Sequence, residues 1–193
     1  MEKTQNLTDE QVVKLVLEDQ DYFLVVINRY KTKLFTFIKR LTNICDEDAE
    51  DVLQEVFLKI YLSLNGFDNG LKFSSWAYAI TRNQVISNHR KLKARAEGYA
   101  VGLDDEAASR LASKIDVEKD MDSLLDKQKI SLILNRLDEK YREVLVLKFI
   151  EEKDYKEISD IIRKPSGTVG SMINKAKELF RKEAEKQNIK ISL

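Results

Sequence analysis

The sequence predicts an all-α protein of two small helical domains joined by a flexible acidic linker, the C-terminal one a helix-turn-helix. Three observations carry this. Only 6 Gly and 1 Pro occur in 193 residues, and strand-rich folds need many turns built from those residues. Apolar residues recur at three- and four-residue steps in several stretches, the spacing of one helix face. That period fails over residues 97–118, where Gly98, Gly102 and the run Asp104, Asp105, Glu106 fall. A length of 193 residues, against ~150 per domain, allows one or two domains. Apolar residues at 43% supply a core, and charged residues at 34% supply its surface.

Thr8-Asp9-Glu10-Gln11 has the Thr-x-x-Gln form of a capping box and opens a short helix. A longer helix follows through Phe23, Ile27, Tyr30, Leu34 and Phe37. Residues 47–64 carry the strongest period: Ala49, Val52, Leu53, Val56, Phe57, Ile60, Tyr61 and Leu64 draw one apolar stripe. Asn65-Gly66-Phe67-Asp68-Asn69-Gly70 ends it with turn chemistry. Helix resumes near Ser74 and runs to about Ala96. Beyond the linker, Leu124–Leu137, Lys140–Ile150, Asp154–Ile162 and Gly167–Lys186 read as four helices. The expected boundaries are 1–95, 96–123 for the linker, and 124–193.

The formal charge is 33 − 33 = 0, but it is unevenly spread. Residues 1–95 carry 14 basic and 13 acidic groups, 96–126 carry 3 and 9, and 127–193 carry 16 and 11. These blocks are net +1, −6 and +5. Asp46, Glu47, Asp48, Glu50, Asp51 and Glu55 crowd one helix, whereas Lys72, Arg82, Arg90, Lys91, Lys93 and Arg95 follow with no acid among residues 72–95. Any one such run is usually a solvated face; a series of alternating blocks is harder to dismiss as one.

Several chemistries are excluded. Cys45 is the only cysteine, so there is no internal disulfide and no multi-cysteine zinc site. His89 has no second histidine for the usual metal sites and sits among cations, with no acid nearby in sequence to make a triad. No Gly-rich phosphate loop and no carboxylate pair with acid/base spacing is evident. The expectation is no catalytic residue, no metal and no cofactor. No apolar run approaches the ~18 residues of a membrane span, and Met1–Asn6 lacks the order of a secretion signal. A soluble, cytoplasmic protein without membrane insertion is expected. Cys45 is expected to be a buried thiol and His89 a surface histidine.

The last two helices form a pair. Asp154 with Glu157 caps a short helix that buries Tyr155, Ile158, Ile161 and Ile162. Ser159 is small enough for a second helix to cross closely. Pro165 ends that run. The next helix sets Val169, Ile173, Ala176 and Phe180 to one side and leaves Thr168, Ser171, Met172, Asn174, Lys175 and Glu178 outward. Residues 163–182 hold six basic groups against Glu178. This is helix-turn-helix patterning, and a major groove admits one such helix. An ordinary helical hairpin with a basic edge has a similar pattern.

Leu137-Asp138-Glu139-Lys140-Tyr141-Arg142-Glu143-Val144-Leu145-Val146-Leu147, Tyr155-Lys156-Glu157-Ile158, and Gly167-Thr168-Val169 with Ser171 together resemble region four of the bacterial sigma factors. The likeness is to the extracytoplasmic-function group, which keeps regions two and four. Asp48-Ala49-Glu50-Asp51-Val52-Leu53-Gln54-Glu55-Val56-Phe57 resembles region 2.2, and Phe73-Ser74-Ser75-Trp76-Ala77-Tyr78-Ala79-Ile80-Thr81-Arg82-Asn83 resembles regions 2.3 and 2.4. The motifs span about Leu15–Arg95 and Leu132–Arg181, in the family's order.

The resemblance implies a function. Asp51, Gln54 and Glu55 match the motif that contacts core RNA polymerase. Ser63, Phe67 and Asn83 match the pocket for a flipped minus-10 base. Loop residues 68–72, including Lys72, lie around it, with Trp76 in the same aromatic-basic stretch. Aromatic surfaces with cations suit single-stranded DNA. Arg90, Lys91, Lys93 and Arg95 would hold the DNA backbone. Thr168, Ser171, Met172, Asn174 and Lys175 would face the minus-35 element of promoter DNA. An anti-sigma factor is a further implied partner. Gly170 and Met172 stand where the family usually has basic residues, Arg163 where a turn glycine is common, and Ser87 where aspartate is frequent. The alternative is a stand-alone helix-turn-helix regulator with an N-terminal dimerisation or effector module.

Overall fold

The computed structural model describes residues 6–42, 44–68, 70–98, 121–187 and 189. The described residues contain helices and turns and no strand, so the all-α expectation holds. Most of the expected linker, residues 99–120, lies outside the described residues.

The N-terminal lobe has four helices: α1 Asp9–Glu18, α2 Phe23–Thr42, α3 Asp46–Ser63 and α4 Phe73–Gly98. Thr8 caps α1 through the expected box, its side chain accepting from the Gln11 amide while Gln11 accepts from its own. Asp9 ties α1 to α2, accepting from Arg29 at 2.6 Å and from the Tyr30 hydroxyl at 2.5 Å. Burial, then the Asp9 hydrogen bond, pushes the Tyr30 phenol well above its ordinary range. The expected apolar stripe of α3 is buried at Ala49, Val52, Leu53, Val56, Phe57 and Ile60, but Tyr61, expected to belong to it, is exposed. The buried six pack with Leu34, Phe37 and Ile38 of α2 and Phe73 of α4. Glu10 of α1 accepts from the Phe73 amide at 3.0 Å, so α1 caps the start of α4.

The C-terminal lobe has α5 Met121–Asn135, α6 Glu139–Leu145, α7 Tyr155–Ile162 and α8 Ser166–Lys186. The predicted single helix 140–150 is broken: Val146–Ile150 widens into a π turn, and the Glu151 amide reaches the Val146 carbonyl at 2.9 Å. Val144, Leu145, Val146 and Leu147 are all buried. Four consecutive apolar residues do not fit one side of a regular helix, and a single π turn is a local departure from one. Arg142 ties this lobe together. Its guanidinium donates to the carbonyls of Leu134, Asn135 and Leu137 at 2.9–3.2 Å, satisfying the open end of α5. It also reaches the Leu41 carbonyl of α2 at 2.9 Å.

That last bond belongs to a contact between the lobes. α7 packs along α4, and α6 and the π turn reach α2. Arg82 of α4 makes a two-pronged contact with Glu143 of α6, through Nε and through Nη2. Glu151 accepts from Arg40 at 2.8 Å and from the Tyr78 hydroxyl at 2.6 Å. Lys153 lies over the Tyr78 ring at 4.7 Å. Burial raises the Glu143 carboxyl above its ordinary value, with Arg82 opposing the shift. Burial likewise raises the Tyr78 phenol and lowers the Lys153 ammonium.

Candidate nucleic-acid interface

The acidic face stands on α3. Asp51, Gln54 and Glu55 are exposed, on the side opposite the buried stripe. The turn before α3 is closed by Cys45, which is half-buried and accepts from the Asp48 amide through Sγ at 3.4 Å. The thiol expected to be buried is instead a helix cap. Glu55 is tied to α4: the buried Gln84 amide donates to it, while Lys59 donates to Gln84. Lys39 pairs with Asp46 at 2.8 Å at the start of the run.

Beside this face runs a cleft of about 640 Å³. Asp48, Asp51 and Glu55 form one wall, Arg82, His89 and Lys91 of α4 the floor, and Glu139, Lys140 and Glu143 of α6 the far side. His89 is exposed, as expected, and sits 3.4 Å from Glu139.

Along α4 the candidate DNA residues align. Trp76, Asn83 and Arg90 are seven apart, and seven residues are nearly two full turns, so they form one stripe about 21 Å long. Asn83, Arg90 and Lys91 are exposed and Trp76 is half-buried. Phe67 is buried, at 9% exposure, with its ring 5.6 Å from Phe73 and 5.2 Å from Trp76. It can floor a base pocket but presents no open face for stacking. Ser63 is exposed at the end of α3, before the short turn Leu64–Gly66. Lys72 is exposed but paired with Glu157 at 3.3 Å and Asp154 at 3.8 Å. The side chains of Lys93 and Arg95 lie outside the described residues.

The helix-turn-helix is α7 and α8. Asp154 and Glu157 form the predicted capping box, and accepting the Glu157 amide holds the Asp154 carboxyl below its ordinary value. The Ser159 hydroxyl donates to the Lys164 carbonyl at 2.6 Å, so this residue latches the turn as well as being small. On α8, Val169, Ile173, Ala176 and Phe180 are buried. Thr168, Ser171, Asn174 and Lys175 are exposed. Met172 is half-buried against the core, not fully outward, as suits a flexible apolar chain at the edge of a packed face. Glu178 receives Lys182 at 2.7 Å and Lys175 at 2.9 Å, and these contacts hold its carboxyl down to about 2.

The order of these parts matches known proteins. Residues 26–95 match sigma-70 region 2, and residues 127–179 match sigma-70 region 4. The chain is 34% identical over 174 residues to the ECF RNA polymerase sigma factor SigW of Bacillus subtilis, covering 86% of this chain and 90% of that one. It is 28% identical over 180 residues to the ECF RNA polymerase sigma-E factor of Escherichia coli, covering 91% and 93%. The fold is similar to that of RpoE from Bartonella quintana, solved with the anti-sigma factor NepR, with a TM-score of 0.68, 21% identity and 84% and 96% of the two chains covered. It is also similar to CnrH, solved with the cytosolic domain of CnrY, with a TM-score of 0.66, 18% identity and 92% and 97% covered. With region 2 on the first lobe and region 4 on the second, the chain belongs to the sigma-70 family, in the extracytoplasmic-function group of RNA polymerase sigma factors.

Proposed function

We propose that this sigma factor binds core RNA polymerase through Asp51, Gln54 and Glu55, captures the melted minus-10 strand along α4, and reads the minus-35 element with α8. The observation that carries the reading is the pairing of an exposed acidic face on α3 with an aromatic-basic stripe on α4 in one lobe, followed by a helix-turn-helix in the other. Ser63, Phe67, Lys72, Trp76 and Asn83 build the base-capturing end of that stripe, and Arg90 and Lys91 follow the strand. Thr168, Ser171, Met172, Asn174 and Lys175 face the upstream duplex.

The chain supplies position and strand capture and no catalysis of its own. It works inside the cell; no helix among the described residues is long and apolar enough to cross a membrane. An anti-sigma factor is a partner by analogy with the fold relatives solved in such complexes. A stand-alone regulator is not favoured, because the region 2 match occupies the segment where that reading needs a dimerisation or effector module.

Run-off transcription with core polymerase tests the proposal. Promoter-specific product is expected only with the chain present. No product and no measurable core binding would remove it. A stand-alone regulator would instead bind a palindrome with half-sites ~10 bp apart, without polymerase.

A further inference from the structure

Gln84 of α4 is a polar side chain in the packed contact between α4 and α3, with only 1% of it exposed. Its amide nitrogen donates to Glu55 Oε2, and its oxygen accepts from Lys59 Nζ. The two charges dictate this orientation, since an amide has donors at one end and an acceptor at the other. Both bonds are charge-assisted, the stronger kind. A buried amide is costly unless its groups are paired, so the two bonds fix Gln84 and Gln84 in turn fixes both charged groups.

Glu55 and Lys59 are four apart with the acid first, the spacing at which such a pair ordinarily closes on a helix surface. Here the buried amide takes both. Glu55 is nevertheless exposed and lines the same wall as Asp51. A carboxylate has about four acceptor sites, so one bond to Gln84 leaves others for a basic partner. A surface glutamate that must be frozen into one rotamer on binding loses several-fold in affinity. Resting on the reading of α3 as the polymerase-binding face, we infer that Gln84 is a positioning residue for core polymerase: it holds Glu55 in one orientation toward the enzyme and draws Lys59 away from it. Gln84 itself is too buried to touch the partner and acts through Glu55. It directly follows the exposed Asn83, so neighbouring residues of α4 serve the DNA side and the polymerase side of one lobe.

The test titrates core polymerase with the full chain carrying Gln84→Met, Glu55→Ala or both. Methionine is of similar length and offers no donor. Gln84→Met is expected to weaken core binding about three- to tenfold. Its melting temperature should be unchanged or higher, because Glu55 and Lys59 are exposed and water replaces the amide. A side chain that only filled the core would lower both together. Glu55→Ala is expected to weaken binding at least as much, and adding Gln84→Met to it should change nothing further. Wild-type affinity in Gln84→Met, or the same fold loss in both backgrounds, would overturn the inference; the second result also covers a variant whose core has loosened. Wild-type affinity in Glu55→Ala would instead remove the reading of Glu55 as a polymerase contact, and the inference with it.

Discussion

The backbone amide of Arg163 donates to the carbonyl of Ser159, and Arg163 adopts a left-handed conformation, φ 54° and ψ 51°, to make that bond. This is the end of the first helix of the helix-turn-helix, where a left-handed residue closes the last turn and glycine is the usual choice. A side chain here costs about 1–2 kcal/mol. Glycine removes that strain but adds entropy to the unfolded chain, about 0.5–1 kcal/mol. Arg163→Gly is therefore expected to stabilise the protein by roughly 0.5–1 kcal/mol and raise the melting temperature by a few degrees. A calorimetric scan showing no rise would mean that arginine makes a compensating contact.

Gly170 offers the opposite exchange. It lies inside α8 with an ordinary helical backbone. A Cβ there would sit 3.8 Å from Tyr155 Cε1, an ordinary contact. Glycine inside a helix costs roughly 0.5–1 kcal/mol relative to alanine. Gly170→Arg should thus raise stability by a similar amount and add a cation to the helix proposed to face the upstream element. Denaturant midpoints and duplex binding check the two halves independently. A lowered midpoint would show that the side chain collides with Tyr155.

These two positions show what local sequence can carry. The capping boxes at Thr8 and Asp154 and the apolar stripes of α3 and α8 appear where their spacing places them, because each depends on residues a few positions apart. The Arg163 turn and the Gly170 gap were visible as departures from the sigma-factor pattern, with their geometry supplied by the structure. The resemblance places Phe67 at the pocket, but nothing in the local sequence signals its packing against Trp76 and Phe73, which depends on how a loop folds back. The lobe contact had no local signal at all. Arg82 and Glu143 are 61 residues apart, and Arg40 and Glu151 are 111 apart. In sequence each is one more charge among 66, 33 of each sign.

Asp51 isolates the proposed polymerase-binding face better than Glu55. Both are exposed, but Glu55 also receives the Gln84 amide and so has a structural tie to α4. Reversing Asp51 leaves that tie intact. Asp51→Lys is expected to weaken core polymerase binding about tenfold or more, the factor that about 1.4 kcal/mol supplies, with unchanged helical content. Pull-down or surface-binding titration reads the loss, and wild-type affinity would remove Asp51 from the interface.

Asn83 is exposed midway along the α4 stripe, where its side-chain oxygen accepts from Arg82 Nη1 at a marginal 3.5 Å. Its amide is thus available to a base edge. Asn83→Ala should lower open-complex formation roughly tenfold, about the worth of one specific base contact, and relax minus-10 preference. Core binding and melting temperature should not change. Permanganate footprinting on promoters altered at one minus-10 position measures this; identical preference in the variant would place the base pocket elsewhere.

Glu178 tests the upstream face through charge. Lys182 and then Lys175 hold its carboxyl down to about 2, below the ordinary 4.5. A lowered folded value means that its pairing is in place above the unfolded value and is lost only as pH falls through about 2. From pH 5 to 8 the group is ionised throughout, so upstream-DNA binding should show no pH dependence from it. In that range the carboxylate occupies two ammonium groups and repels phosphate. Glu178→Gln frees both, since a neutral amide does not compete as a carboxylate does. If Lys175 and Lys182 then each reach a phosphate, the slope of log affinity against log salt should steepen by one to two, at roughly 0.9 per contact. Affinity at low salt should rise with it. Lys175→Ala in the same background should return about one unit of that slope. A slope unmoved by either change would mean that this side of α8 faces away from the duplex.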